Sequence, residues 1–89
     1  MIERELEIKN RLGLHARAAA KFVQTAGRYK SSVKIRRNSE EVDGKSILGI
    51  LLLAASQGTR IVIAVSGEDE AEAFAAVEDL IARSFDEEQ

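Results

Sequence analysis

The sequence predicts a two-layer α+β sandwich in which four strands form one sheet and helices cover a single face of it. Three observations predict it. Apolar and polar residues alternate over short stretches, one further stretch is a β-branched run, and two longer stretches repeat apolar residues at helical spacing. Taken in chain order they give β-α-β-β-α-β-α, and a sheet with one apolar face buries it best under helices on that side. The pattern leaves the strand order open among split arrangements that lay the first and fourth strands side by side.

Over Ile2 to Ile8, the apolar Ile2, Leu6 and Ile8 alternate with charged side chains, with Arg4 at the remaining inward position, which predicts a half-buried strand. Asn10 to Leu14 reads as a loop. Ala19, Phe22, Val23 and Ala26 then recur at helical spacing with Lys21, Gln24 and Arg28 on the other side, and Gly27 ends that helix. Ser32 to Arg37 alternates again, and Asn38-Ser39 supplies the turn into a short second arm through Glu41 and Val42.

Asp43-Gly44-Lys45-Ser46 leads into Ile47 to Leu53, a short helix with Ser46 near its N-cap. That helix is apolar nearly all round, so it is either buried or shown to a partner. Gln57-Gly58 makes a turn, Ile61 to Val65 is a central strand, and Ser66-Gly67 breaks it. A long helix from about Asp69 to Arg83 presents Ala73, Phe74, Val77, Leu80 and Ile81 as one stripe, with acidic residues in its first turn where the dipole favours them. Asp86 to Gln89 is expected to fray.

A chain of 89 residues makes one domain, residues 1–89, burying roughly 60–65% of its unfolded surface. With no cysteine and one histidine, the composition excludes disulfides, thiolate metal sites and a transition-metal site built by this chain alone. The longest apolar run, Ile47 to Ala55, is interrupted by Gly49 and falls short of the roughly 20 residues a membrane helix needs. The first residues are charged and alternating, unlike a signal peptide, so a soluble cytoplasmic protein without membrane insertion is expected. Residues 1–50 carry 11 Lys/Arg against 6 Asp/Glu, whereas residues 51–89 carry 2 against 9. A basic front half of this kind steers acidic ligands or acidic protein surfaces.

Chemistry concentrates at Gly13-Leu14-His15-Ala16-Arg17, where a loop becomes an alanine-rich helix. The free N–H groups of a first helical turn favour an anion, a neutral imidazole nitrogen is a nucleophile, and an arginine fork matches phosphoryl oxygens. His15 is therefore a candidate phosphoryl acceptor and Arg17 its charge stabiliser, against the plainer alternative of a histidine that only caps the helix. No Ser or Asp is placed by sequence to complete a triad with His15. Gly44-Lys45-Ser46 lacks the earlier glycine of a P-loop, having Ser39 there. Tyr29 is the only tyrosine and tryptophan is absent, which argues against nucleic-acid stacking. A phosphate on Ser46 would add roughly 1.5–2 negative charges beside an apolar helix, against the alternative of an ordinary N-cap.

These residues resemble a known family. Gly13-Leu14-His15-Ala16-Arg17 followed by Phe22-Val23-Gln24-Thr25-Ala26 is similar to the active-site signature of the histidine-containing phosphocarrier (HPr) family of the bacterial phosphotransferase system. Lys45-Ser46-Ile47-Leu48-Gly49 is similar to its serine-phosphorylation segment, at the family's usual separation. The resemblance implies an open-faced β-sandwich, with a four-stranded antiparallel sheet under three helices, and no cofactor or metal. It implies a phosphocarrier rather than a turnover enzyme, with transfer through Nδ1 of His15 and Arg17 beside the phosphoryl group. Enzyme I would be the donor and IIA domains the acceptors. Ser46 would be a kinase target, with transcriptional regulators as further partners. Ala16, Ala20, Lys21, Ile47, Leu48 and Leu51 would form the docking surface of a monomer. The alternative is a regulatory interaction module, of the nitrogen-related or Ser46-phosphorylated type, without a transport role.

Three residues depart from the family pattern. Ala18 stands where proline is commonest, which should leave the helix start less fixed by about 0.4–1 kcal/mol. Leu12 replaces a small or polar residue. The acidic end and the Ala75-Ala76-Val77 neighbourhood resemble the nitrogen-regulatory branch as much as the sugar branch.

Overall fold

The structure is a computed structural model that describes residues 1–87. Its strands are β1 (Ile2–Glu7), β2 (Ser32–Arg37), β3 (Glu40–Asp43) and β4 (Arg60–Ser66), and its helices α1 (Ala16–Ala26), α2 (Ile47–Leu52) and α3 (Glu70–Ala82). The order along the chain is the predicted one, and the boundaries differ from expectation by one or two residues at most positions. The sheet runs β1-β4-β2-β3 with every pairing antiparallel. The first and fourth strands therefore lie side by side, with Ile2 opposite Val65 and Leu6 opposite Ile61.

The β-branched run of β4 is central because it pairs on both edges, and Ile61, Ile63 and Val65 send their side chains into the core together with Val33 and Ile35 of β2. From the helices come Ala18, Ala19, Phe22 and Ala26 of α1, Ile50 of α2, and Ala73, Phe74, Val77, Leu80 and Ile81 of α3. Arg4 explains its own exception to the alternation. Its guanidinium lies 5.3 Å from the centre of the Phe74 ring, a cation–π contact at the rim of the core.

Gly27 is the C-cap of α1, as expected, in a right-handed conformation with φ −67°. One local expectation is corrected: the end of the chain is not frayed through Asp86 and Glu87, while Glu88 and Gln89 lie outside the described residues. Ser84–Asp86 form a short 3-10-type turn in which all three residues have positive φ, 55°, 56° and 62°. A left-handed conformation costs about 1–2 kcal/mol per non-glycine residue. The aromatic ring of Phe85 offsets that cost, because it is fully buried in the core. A negatively charged tail reads as solvated in sequence; one phenylalanine within it pulls the chain back onto the fold.

No helix is long and apolar enough to cross a membrane, among the described residues.

Candidate functional site

The site is built on the loop between β1 and α1. Asn10 is fully buried, and its Nδ2 donates to the Gly13 carbonyl at 2.7 Å. Gly13 takes φ +69°, and an added Cβ would come within 2.8 Å of Ser56 Cα and collide with the Ala55 carbonyl oxygen. Both the conformation and the close approach require glycine here. Leu14 N–H donates to that same Ala55 carbonyl at 2.8 Å, and its side chain is buried. The loop is thereby fastened to the segment that follows α2.

His15 is the N-cap of α1, with extended φ −80° and ψ −179°. Its carbonyl accepts from Ala19 N–H at 2.8 Å, and its Nδ1 accepts from Arg17 N–H at 3.2 Å. The capping alternative is thus real, and here it is compatible with chemistry: the cap itself aims Nδ1 at the first-turn N–H groups. The other ring nitrogen, Nε2, lies 2.8 Å from Oε2 of Glu87. An ionised carboxylate only accepts, so Nε2 carries the proton in the neutral ring and Nδ1 holds the free electron pair.

Burial pushes the Glu87 carboxyl up, but hydrogen bonds from His15 and Asn10 and the charges of His15 and Lys21 outweigh it and leave it below the usual glutamate range. Lys21 Nζ donates to the Phe85 carbonyl at 2.7 Å, which anchors the C-terminal turn. The ammonium expected in partner docking thus also holds the site's own wall. Arg17 is exposed, and its guanidinium makes no hydrogen bond or ion pair among the described residues. It borders an open depression of about 830 Å³ together with Arg11, Leu12, His15 and Lys21. Ala18, the departure in the first turn, is fully buried, so packing fixes the helix start where proline is missing.

Ser46 is the N-cap of α2, and its Oγ accepts from Gly49 N–H at 3.1 Å. Next to it Lys45 Nζ donates to the Tyr29 carbonyl at 2.8 Å. Ile50 and Leu53 point inward, while Ile47, Leu48, Leu51 and Leu52 remain exposed, Leu48 and Leu52 by about two thirds. The short helix that was too apolar for its length thus has one buried side and one displayed side. Ala16 is exposed and Ala20 half-buried on α1, which packs against α2. Leu12, exposed by 66%, adds an apolar residue to the rim of the His15 depression.

Sequence reasoning missed Glu87, Asn10 and Leu52. Leu52 was inside the run assigned to the helix, and its outward position follows from helical spacing relative to Ile50 and Leu53. For Glu87 the one available signal was Phe85, a large apolar residue in an otherwise acidic end. Asn10 gave none.

The family described as "PTS HPr component phosphorylation site" matches residues 2–83. The phosphocarrier protein HPr of Neisseria meningitidis is 51% identical over 87 residues, 98% of each chain, and that of Pseudomonas aeruginosa is 54% identical over 84 residues, 93% of each. An HPr crystal structure from Thermoanaerobacter tengcongensis superposes with a TM-score of 0.96 at 46% identity, covering 100% of both chains.

Proposed function

This chain belongs to the HPr family of phosphocarrier proteins, and from that premise we propose that Nδ1 of His15 is the atom that carries the phosphoryl group. The observation that carries this reading is the pair of bonds on the ring: Nε2 faces a carboxylate and Nδ1 faces the Arg17 N–H at the start of α1. In the transfer Nδ1 gives its electron pair to phosphorus, and the bond from phosphorus to the donor atom breaks with its pair leaving on the donor. The phosphoryl oxygens then take the first-turn N–H groups of α1 and the guanidinium of Arg17, which is exposed and has no other partner among the described residues. Almost all of this catalysis is positioning and electrostatics, which suits a carrier that passes on what it receives.

The carrier works with proteins of the phosphotransferase system, with Enzyme I as donor and IIA domains as acceptors. Their docking surface is read as Ala16 and Ala20 of α1 with Ile47, Leu48 and Leu51 of α2, extended by Leu52 and Leu12, all at least partly exposed. Ser46 is read as the target of a regulatory kinase: it is half-buried at the N-cap, and a phosphate there sits beside the displayed apolar side of α2, which it would make costly to dock against. The Neisseria and Pseudomonas relatives are named phosphocarriers, which favours this reading over a docking module without transfer.

Incubation with Enzyme I and phosphoenolpyruvate is expected to give an acid-labile, base-stable adduct on the wild-type protein and none on His15→Ala. Labelling of His15→Ala to the wild-type extent would place the acceptor elsewhere.

A further inference from the structure

One charged group of the site, Glu87, takes no part in holding the phosphoryl group. It lies 72 positions from His15 in the chain, yet its Oε2 meets Nε2 at 2.8 Å and its side chain is only 13% exposed. Asn10 Nδ2 donates to both carboxylate oxygens, at 2.9 and 3.2 Å, while also holding the Gly13 carbonyl. The chain reaches this position through three consecutive residues of positive φ, fixed by Phe85 in the core and by Lys21 on the Phe85 carbonyl. A strained turn, a buried amide and a lysine all converge on placing one carboxylate against one imidazole nitrogen. A solvated acidic tail would need none of them.

Resting on the reading of His15 as the phosphoryl acceptor, we propose that Glu87 is a positioning residue for phosphoryl transfer. Its carboxylate holds the Nε2–H, which fixes the ring plane and keeps the electron pair on Nδ1. When the Nδ1–phosphorus bond forms, Nε2 keeps its proton and the ring becomes cationic. Glu87 then faces that cation across the same hydrogen bond, so no proton has to enter or leave during transfer. The phosphoryl group departs again from a ring whose electron pair returns to Nδ1, and the carboxylate finds the neutral tautomer it started from. The lowered pKa of Glu87 agrees with a carboxylate that stays ionised throughout.

Glutamine at position 87 keeps the shape and removes the charge. One amide oxygen serves either Asn10 or Nε2–H, and the amide N–H₂ opposes whichever donor remains. The test compares wild type and Glu87→Gln as full chains in Enzyme I-dependent phosphorylation, with the ring Nε2–H followed by ¹H–¹⁵N spectroscopy. A charge-assisted bond at a partly open site predicts a maximal rate lower by about three- to thirtyfold, an unchanged apparent affinity for Enzyme I, and loss of the exchange-protected Nε2–H signal. Phosphorylation remains on His15. A wild-type maximal rate overturns the proposal and leaves the carrier reading standing, as does a fall confined to the affinity for Enzyme I, which would make Glu87 a docking residue. An unlabelled wild-type protein overturns both. Thermal unfolding of the two proteins at equal midpoints separates a positioning role from loss of the C-terminal turn, and Glu87→Asp, too short to span the same gap, is expected not to rescue the rate.

Discussion

At His15 the backbone and both ring nitrogens are already engaged: the carbonyl starts α1, Nδ1 accepts from Arg17 N–H, and Nε2 meets Glu87. The side chain is held at both ring nitrogens before any partner arrives, which lowers the entropic cost of reaching the transfer geometry. The Gly-Leu-His-Ala-Arg stretch was legible because each residue type has a separate reason to be there. Glycine turns the chain, leucine anchors it, histidine offers a nucleophilic ring nitrogen, and arginine offers a fork that matches phosphoryl oxygens. The carboxylate was not legible, because nothing local tells that position 87 returns to position 15. Gly13→Ala tests the loop. The added methyl meets Ala55 and Ser56 in a left-handed conformation, so we expect a loss of about 1–3 kcal/mol in chemical denaturation together with slower phosphorylation, since the displaced loop carries His15 with it.

Among the elements, α2 and α3 show how similar apolar patterns reach different ends. The stripe of α3 is wholly covered by the sheet and α1, whereas α2 buries Ile50 and leaves Ile47, Leu48, Leu51 and Leu52 outside. Helical spacing identified both helices; the short length of α2 was the clue that one side had no cover. The acidic start of α3 was read as dipole complementarity, and Glu70 and Glu72 occupy that turn. Asp69 does something else. Its carboxylate makes no cap and instead accepts from Lys30 N–H, Ser31 N–H and Ser31 Oγ, tying α3 to the start of β2. The Ser31 hydroxyl above all, then the Lys30 N–H, lower the Asp69 carboxyl from 3.8 to about 2. A lowered acid stabilises the fold above its unfolded value and loses that contribution as pH falls through the folded one. Wild type is therefore expected to lose stability between about pH 4 and pH 2 that Asp69→Asn, already weaker at neutral pH, does not lose. Urea unfolding across that range measures the difference.

For the whole molecule, the β1-β4-β2-β3 order with α3 packed on β1 and β4 brings the loop after β1 and the turn after α3 into one site. Element types and their order were legible from periodicity, and adjacency of the first and last strands was the one topological constraint the pattern offered. The inner pair β4-β2 was not, because periodicity marks faces and says nothing of neighbours. Phe85 connects global stability to the site, since the same residue fills the core and sets the turn that delivers Glu87. Phe85→Ala is expected to cost about 3–5 kcal/mol, seen as a midpoint lower by more than 10 °C for a domain of this size, and to slow transfer at temperatures where the variant is still folded. A variant that melts early yet transfers at full rate would separate the two roles.

The central claim is that Nδ1 of His15 holds the phosphoryl group while Nε2 keeps its proton against Glu87. The most direct measurement is ³¹P–¹⁵N coupling in the ring-labelled phosphoprotein: coupling to Nδ1, with a proton retained on Nε2, is the predicted result, and coupling to Nε2 would contradict it.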